Sequence, residues 1–459
     1  MRISQTGLSL LTGSEDIAHV RITRSDQEAS AYFYVPLELG EAVEAITVDL
    51  QYPKGPDCII DLGVFDPRVT GYPSAEGFRG WSGGARSQFS IAADAATPGY
   101  VAGPLQAGRW LIVLGLYKIP SEAVEVTLAA RALRTGALAR PQPAPTPFTP
   151  RGTGWYRGDC HSHTFHSDAK GSPELLHRTA REAGLDFLFI TDHNTTTAWK
   201  AYFKTASSPD LVFIPGVEIT TADGHANVLG TDEWIDFRLE GDADIAALED
   251  AARARGALLT VNHDKPPIPW LYRWPAVDCM EVWHHEWADG NSGLGARYDA
   301  LLRQGLKITA IGGSDYHQAT EVRLGGPRSL GSPTTVIHAE RLDRQGVIAA
   351  LRSGRAYITE APDGPHLEIS SNGTPMGGTR AQSKGADLRI VARGAGGDLL
   401  QLIGDEGVFV QLPIDADDWD YQIPLPSGLR FVRAQIMSGA PDPRCRALSN
   451  PLYFQAASR

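Results

Sequence analysis

Residues 158–168 read GDCHSHTFHSD and place three histidines and two aspartates within eleven positions. Imidazoles and carboxylates of this kind serve as metal ligands or as general acids and bases. The mixture recurs further along the chain. Asp192 and His193 end "LFITDH", Glu218 lies in "GVEIT" and His225 in "GHANVLG". His263 ends "LLTVNH", and Asp315 and His317 share "GGSDYH". The two paired motifs, the TDH and the NH follow strand-length apolar runs, and residues two apart in a strand point to the same face, as His161 and His163 do. A lone histidine after a strand is ordinarily a hydrogen-bonded structural residue. The repetition of paired ligands after successive apolar runs points instead to one metal centre. Histidine and carboxylate ligands without cysteine suit zinc, manganese or iron in a catalytic role.

Other residues qualify as pocket groups. Lys265 in "NHDKPP" can reach an anion, or sit solvated on the surface. His284 and His285 follow "MEVW" and can act as a general acid, contact substrate or be structural. Arg323 comes soon after His317 and can bind an anion. His166 reads as a loop residue, and His19, His177, His338 and His366 as structural or surface residues. Seven of the ten tryptophans fall between 155 and 287; most are packing residues, and one or two near a site would favour an aromatic leaving group or a base. No Walker-type phosphate loop is present.

Three zones must position these groups. Residues 1–138 contain "AYFYVPLEL", "AITVDLQY", "CIIDLGVF", "RWLIVLGLY" and "VEVTLAARA", runs of strand length with no convincing helix among them, which predicts a β-sandwich. Residues 139–154 are proline-rich and predict an extended linker. Residues 155–361 alternate strands and helices. "SPELLHRTAREAG" offers Ser172 as N-cap, Pro173 at the first helical position and Gly184 beyond the end. The series "DLVFIPGVEIT", "DADIAALEDAARARG", "ALLTVNHD", "CMEVWHH", "GLGARYDALLRQG", "LKITAIGGSDYH" and "ERLDRQGVIAALRSG" predicts an α/β fold with a parallel sheet, closed as a barrel. The strand ends of such a barrel converge on one mouth, where the ligand groups would meet. Residues 362–459, with "HLEIS", "DLRIVARG", "DLLQLIG" and "FVRAQIMS", predict a small C-terminal β domain of sandwich type.

The chain has 459 residues, 42% hydrophobic and 21% charged, which suits a globular protein of more than one domain. A formal charge of −12 argues against a general nucleic-acid grip. Cys58, Cys160, Cys279 and Cys445 lie far apart, as in a reducing compartment. The N-terminal stretch is too short and too acidic for a signal peptide or membrane span, so the expectation is a cytoplasmic protein away from membranes.

The run "GDCHSHTFHSDAKGSPELLHRTAREAGLDFLFITDHNTT" resembles the opening of the PHP (polymerase and histidinol phosphatase) superfamily, and "VEITTADGHANVLG", "VNHDKP" and "GGSDYH" resemble its later motifs. The likeness spans roughly 155–360. "FRGWSGGARSQFSI", "ATPGYVAG" and "GRWLIVLGLY" resemble the carbaryl-hydrolase-like (CehA/McbA) branch. The resemblance implies a distorted seven-stranded β/α barrel holding two or three divalent ions. It assigns His161, His163, Glu218 and Asp315 to one ion and Asp168, His193 and His317 to a second. Glu218, His225 and His263 would complete a third. "SDAKGS" departs from the usual pattern, in which glycine follows the aspartate directly.

The activity implied is phosphoesterase chemistry on a small mono- or diester, by a hydroxide bridging the ions. An amide or aryl carbamate hydrolase using the same centre is the alternative, and a non-catalytic binding module the third reading. The partner expected is a small-molecule ester; assembly into a homo-oligomer stays open.

Overall fold

The computed structural model describes residues 2–133, 148–199, 210–318, 329–381, 387–439 and 443–455. It is mixed α/β, mostly strands with few helices. Much of the proline-rich linker, and Arg323, lie outside the described residues.

In the first zone two sheets face each other. One holds Tyr32–Leu39, Gly108–Lys118, Ile59–Phe65 and Phe78–Trp81, with Arg2–Ile3 and Leu8–Leu10 pairing Tyr32–Leu39. The other holds Glu15–Ile22, Val124–Leu133, Ala45–Gln51 and Gln88–Ala92. Against the expectation of strands alone, a short helix, Arg24–Ala29, interrupts them, started by the capping box of Thr23 and Asp26. "YFYVPLEL" and "RWLIVLGLY" are almost continuously apolar because their sheet is buried on both faces. Phe33, Val35 and Leu37 point into the sandwich. Tyr32, Tyr34, Leu111 and Val113 point the other way and share a core with Val217, Ile219, Phe237 and Leu259 of the next zone. Trp81 meets Phe237 at 4.6 Å between ring centroids, and Phe78 stacks on Trp234 at 4.5 Å. The two zones are therefore fused through a shared core.

The middle zone lays seven strands side by side in chain order: Gly154–Asp159, Phe187–Ile190, Val212–Thr221, Gly224–Leu229, Leu258–Val261, Cys279–His284 and Thr309–Gly313. The expectation of an all-parallel sheet is corrected here. Gly224–Leu229 runs antiparallel to both neighbours. Only Ala222 and Asp223 separate the paired residues Thr221 and Gly224, and so short a connection can make a hairpin but never a crossover. The sheet curls until its ends meet. Ser162 bridges to Tyr316, and the Thr335 hydroxyl both accepts from Gly312 N and donates to Gly312 O, each at 2.8 Å.

The helices follow their end signals. Ser172 caps Pro173–Glu182 by accepting from Leu175 N, and Asp343 caps Arg344–Arg352 by accepting from Gly346 N. Ile245–Ala254 ends just before Gly256 at φ +62°. Asn291–Arg303 begins two residues before the run that predicted it.

The last zone does not build both its sheets alone. Thr334–Ala339 pairs with the first strand of the curled sheet, and Ala356–Thr359 continues it. Cys445–Ser449, Phe431–Met437, Leu399–Gly404 and Gly407–Pro413 then extend the same sheet. A second sheet of Thr374–Pro375, His366–Ser371, Asp387–Arg393 and Asp418–Pro424 covers it over a core of Leu367, Leu388, Leu402 and Val432. All four cysteines are free and buried. No helix among the described residues is long and apolar enough to cross a membrane.

Candidate metal centre

The ligand-type residues singled out from the sequence converge at one end of the curled sheet. Glu218, on the Val212–Thr221 strand, is fully buried at the middle. Its Oε1 lies 3.3 Å from His161 Nε2, 3.2 Å from His225 Nδ1 and 3.3 Å from His263 Nε2. Its Oε2 lies 2.7 Å from His193 Nδ1 and 3.5 Å from His163 Nε2. Asp315 Oδ1 lies 3.2 Å from His161 Nε2, 2.9 Å from His163 Nε2 and 3.5 Å from His317 Nδ1. Asp168 Oδ1 is 3.4 Å from His193 Nε2 and 3.1 Å from His317 Nε2. The hairpin explains His225: because Gly224–Leu229 runs backwards, its start lies beside Thr220, at the end where Glu218 stands.

These spacings fit shared ions. Ligand atoms held tetrahedrally at 2.0–2.1 Å from one ion lie about 3.3 Å apart. Buried polar atoms give the same indication: His161 Nε2, both ring nitrogens of His163 and of His225, Glu218 Oε2 and Asp315 Oδ1 lack a well-aligned hydrogen-bond partner among the described residues. Orphaned polar atoms in such number are rare in proteins and mark groups awaiting a partner.

Protonation is divided across the site. Burial and the neighbouring charges of His317 and His193 push His163 down to about 3, leaving it neutral. Burial works against a proton on His193, yet Asp168 and Glu218 outweigh it and raise this histidine to about 10. Burial is likewise overcome at His317, raised to about 9 by Asp315 and Asp168. Burial would raise Glu218 and Asp315, but the surrounding histidines hold both well below the usual carboxylate range. Non-glycine residues at positive φ gather here: His263 at 25°, Asp315 at 46°, His285 at 57° and Asn194 at 58°. Such conformations cost about 1–3 kcal/mol each and persist where a site over-determines them.

The remaining candidates divide. His284 Nε2 is 3.2 Å and His285 Nε2 4.0 Å from Asp315 Oδ2, so both stand beside the cluster. The Lys265 ammonium donates to His284 O and Asn291 Oδ1, each at 3.2 Å, which makes it a brace for the 284–291 turn. His166 Nδ1 lies 2.9 Å from Thr197 Oγ1, away from the ligand cluster. Glu281, not singled out from the sequence, is buried with Oε1 2.9 Å from His161 Nδ1 while Oε2 accepts from His263 N at 2.8 Å. Its signal was an acid inside the apolar run "CMEVW". A Cβ at Gly313 would stand 2.3 Å from Glu281 Oε1 and 2.5 Å from His161 Cβ, so this pairing requires glycine there. Asp159 and Asp192 were likewise outside the candidate ligands. Asp192 accepts from Thr164 N, Thr164 Oγ1 and Ser167 Oγ, shaping the loop before Asp168. Asp159 ties Ser314 to Gly331.

Against known proteins, residues 159–294 match the family model for the PHP domain. That segment contains His161, His163, Asp168, His193, Glu218, His225 and His263. The chain is also 38% identical over 116 residues to the 5'-3' exoribonuclease Rnm of Salmonella typhimurium (strain LT2). The match takes in 24% of this chain and 39% of that protein's length. Among solved structures, a two-domain protein of Bacteroides vulgatus ATCC 8482 containing a predicted PHP-like metal-dependent phosphoesterase is 18% identical, with a TM-score of 0.39 over 68% of this chain and 100% of that one. An amidohydrolase from Chromobacterium violaceum with bound sulfate and no metal is 16% identical, with a TM-score of 0.28 over 38% of this chain and 89% of that one. The segment 159–294 is thus similar to a PHP domain, and it is joined on one side to a β-sandwich and on the other to further strands of its own sheet.

Proposed function

We propose that the chain is a metal-dependent phosphoesterase that hydrolyses small phosphate mono- or diesters at this centre, and that the curled sheet is a distorted seven-stranded barrel of PHP type. The observation carrying the proposal is Glu218, whose two oxygens face different histidine sets while Asp315 and Asp168 face the rest. His161, His163, Glu218 and Asp315 would hold one divalent ion, and Asp168, His193 and His317 a second. Glu218, His225 and His263 would hold a third. Ions of this kind supply an activated water near neutral pH and positive charge for phosphoryl oxygens.

The protein's own groups do the rest. Glu281 keeps the proton of His161 on Nδ1, which leaves Nε2 free as a ligand. Glu218 and Asp315 stay ionised and so remain available as ligands across the neutral range. Of His284 and His285, which stand beside Asp315 Oδ2, burial holds His284 below its usual value, so His285 would give the proton to a departing alcohol and His284 would contact substrate. The exoribonuclease named above acts on phosphodiesters, which supports phosphorus over carbonyl carbon as the centre attacked. The net charge of −12 favours a small ester over a long nucleic acid.

A second reading, an aryl carbamate or amide hydrolase of the carbaryl-hydrolase-like branch, has one observation in its favour. "FRGWSGG", part of that resemblance, contains Trp81 and packs against the middle zone. The test is turnover of p-nitrophenyl phosphate, bis-p-nitrophenyl phosphate and an aryl carbamate by protein loaded with manganese, zinc or iron. Phosphate ester turnover supports the proposal. Carbamate turnover alone would replace it with the second reading, and an inert protein would contradict both.

A further inference from the structure

The N-terminal sandwich turns an acid toward the metal centre. In Ile59–Phe65, Ile60, Leu62 and Val64 point into the sandwich core. Strand alternation therefore puts Asp61, Gly63 and Phe65 on the opposite face, where Phe65 joins the core shared with the middle zone. Asp61 is only partly exposed and lies near enough to His193 and Asp168 for their charges to act on it. No hydrogen bond to its carboxylate is formed among the described residues. Burial, resisted by His193 and Lys54, pushes the group up to about 7, as befits a carboxyl without its donors.

Glycine backbones pack closely against Asp61, and a side chain at these positions would crowd its carboxylate. A Cβ at Gly84 would stand 3.4 Å from Asp61 Oδ1, one at Gly83 3.9 Å, and one at Gly115 3.1 Å from Oδ2. Trp81 Nε1 lies 3.6 Å from the same Gly83 position and, among the described residues, also makes no hydrogen bond. An acceptor and a donor thus share one small slot. The slot is held in register with the metal ligands. Arg86, from the sandwich, donates to Ser167 O at 2.8 Å and to Phe165 O, on the loop that carries Asp168. Thr195 Oγ1 donates to Gly99 O at 3.3 Å, and a Cβ at Gly99 would lie 2.6 Å from both His166 O and Trp81 O, so these backbones are in direct contact.

We propose that Asp61 and Trp81 Nε1 form a leaving-group subsite that reads a hydroxyl of a sugar or polyol ester whose phosphate lies at the metal centre. This rests on the phosphoesterase reading and names the substrate class it would favour. A hydroxyl both donates and accepts, so it satisfies the carboxylate and the indole together; an aryl leaving group satisfies neither.

The test measures affinity of the metal-loaded full chain for ribose 5-phosphate and for inorganic phosphate by calorimetry, in wild type and in Asp61→Asn and Asp61→Ala. Wild type should prefer ribose 5-phosphate. Both substitutions should shrink the preference about tenfold or more, the value of a hydrogen bond to a charged group. A wild type without preference, or a preference unchanged in both variants, overturns the subsite while leaving the phosphoesterase reading intact. Loss of bound metal in the variants would assign Asp61 to holding the centre and also overturn the subsite. Failure of inorganic phosphate itself to bind would overturn both readings.

Discussion

Replacing Glu281 by glutamine tests how the centre is tuned without touching any proposed ligand. The Glu281 carboxylate faces two donors, His161 Nδ1 at 2.9 Å and His263 N at 2.8 Å. A carboxamide offers one acceptor and one donor, so only one neighbour can be served. If its oxygen turns to His263 N, its NH2 faces His161 Nδ1, and the imidazole must move its proton to Nε2, the atom lying 3.3 Å from Glu218 and 3.2 Å from Asp315. If it turns the other way, a buried backbone N–H loses its acceptor. Either outcome costs about 1–3 kcal/mol. Loss of such an outer partner typically weakens metal affinity about 10–100-fold, or about 1.4–2.8 kcal/mol. The assay is competition against a chromogenic chelator, with circular dichroism to verify that Glu281→Gln stays folded. An affinity within twofold of wild type, in a folded protein, would refute the reasoning.

Other consequences are equally open to measurement. Asp315→Ala or His193→Ala should remove bound metal and hydrolysis together while the β domains stay folded; full activity in either would sink the ligand assignment. Metal binding must displace protons, because in the metal-free chain His161 is raised, against its burial, well above its usual value by Asp315 and Glu218, and His193 and His317 are raised to about 10 and about 9. About three protons per chain should be released near pH 7.5, read by calorimetry in buffers of different ionisation enthalpy. These raised histidines stabilise the metal-free fold below about pH 6.5 and lose that contribution as pH climbs toward 10, so its melting temperature should fall over that window. Arg86→Ala deletes both donors to the Asp168 loop. It should weaken retention of one metal equivalent about tenfold on dialysis, and unchanged retention would dismiss the clamp. Phe237, fully buried against Trp81 and Tyr32, should cost about 3–5 kcal/mol in denaturant unfolding when cut to alanine; a loss below about 1 kcal/mol would contradict the fused core.

The site was more legible in the sequence than the topology around it. His225 opens its strand and carried no such mark, whereas His161, His163, His193, His263 and Asp315 follow apolar runs and Glu218 stands late in one, which marked them together as candidates. Helix ends were legible for the same reason, since Ser172, Pro173 and Gly184 act within a turn of their own positions. The reversed strand at Gly224–Leu229 was not, because a buried strand looks alike in either direction and only the brevity of "TADG" betrays the hairpin. Nor was the extension of the sheet into the C-terminal zone, which depends on Thr359 pairing with Ala447, far away in the chain. Asp61 and Arg86 act across the junction between zones, and nothing local marks them. Glu281 was readable as an acid within a buried strand, a position that demands a partner.

The central claim is that these side chains form one multinuclear metal centre, and metal content measures it most directly. Full-length protein, incubated with manganese, zinc or iron and freed of excess, should retain two to three ions per chain by mass spectrometry, falling sharply in Glu218→Ala. Retention of less than one ion with every metal, or the same content in wild type and Glu218→Ala, would contradict the account.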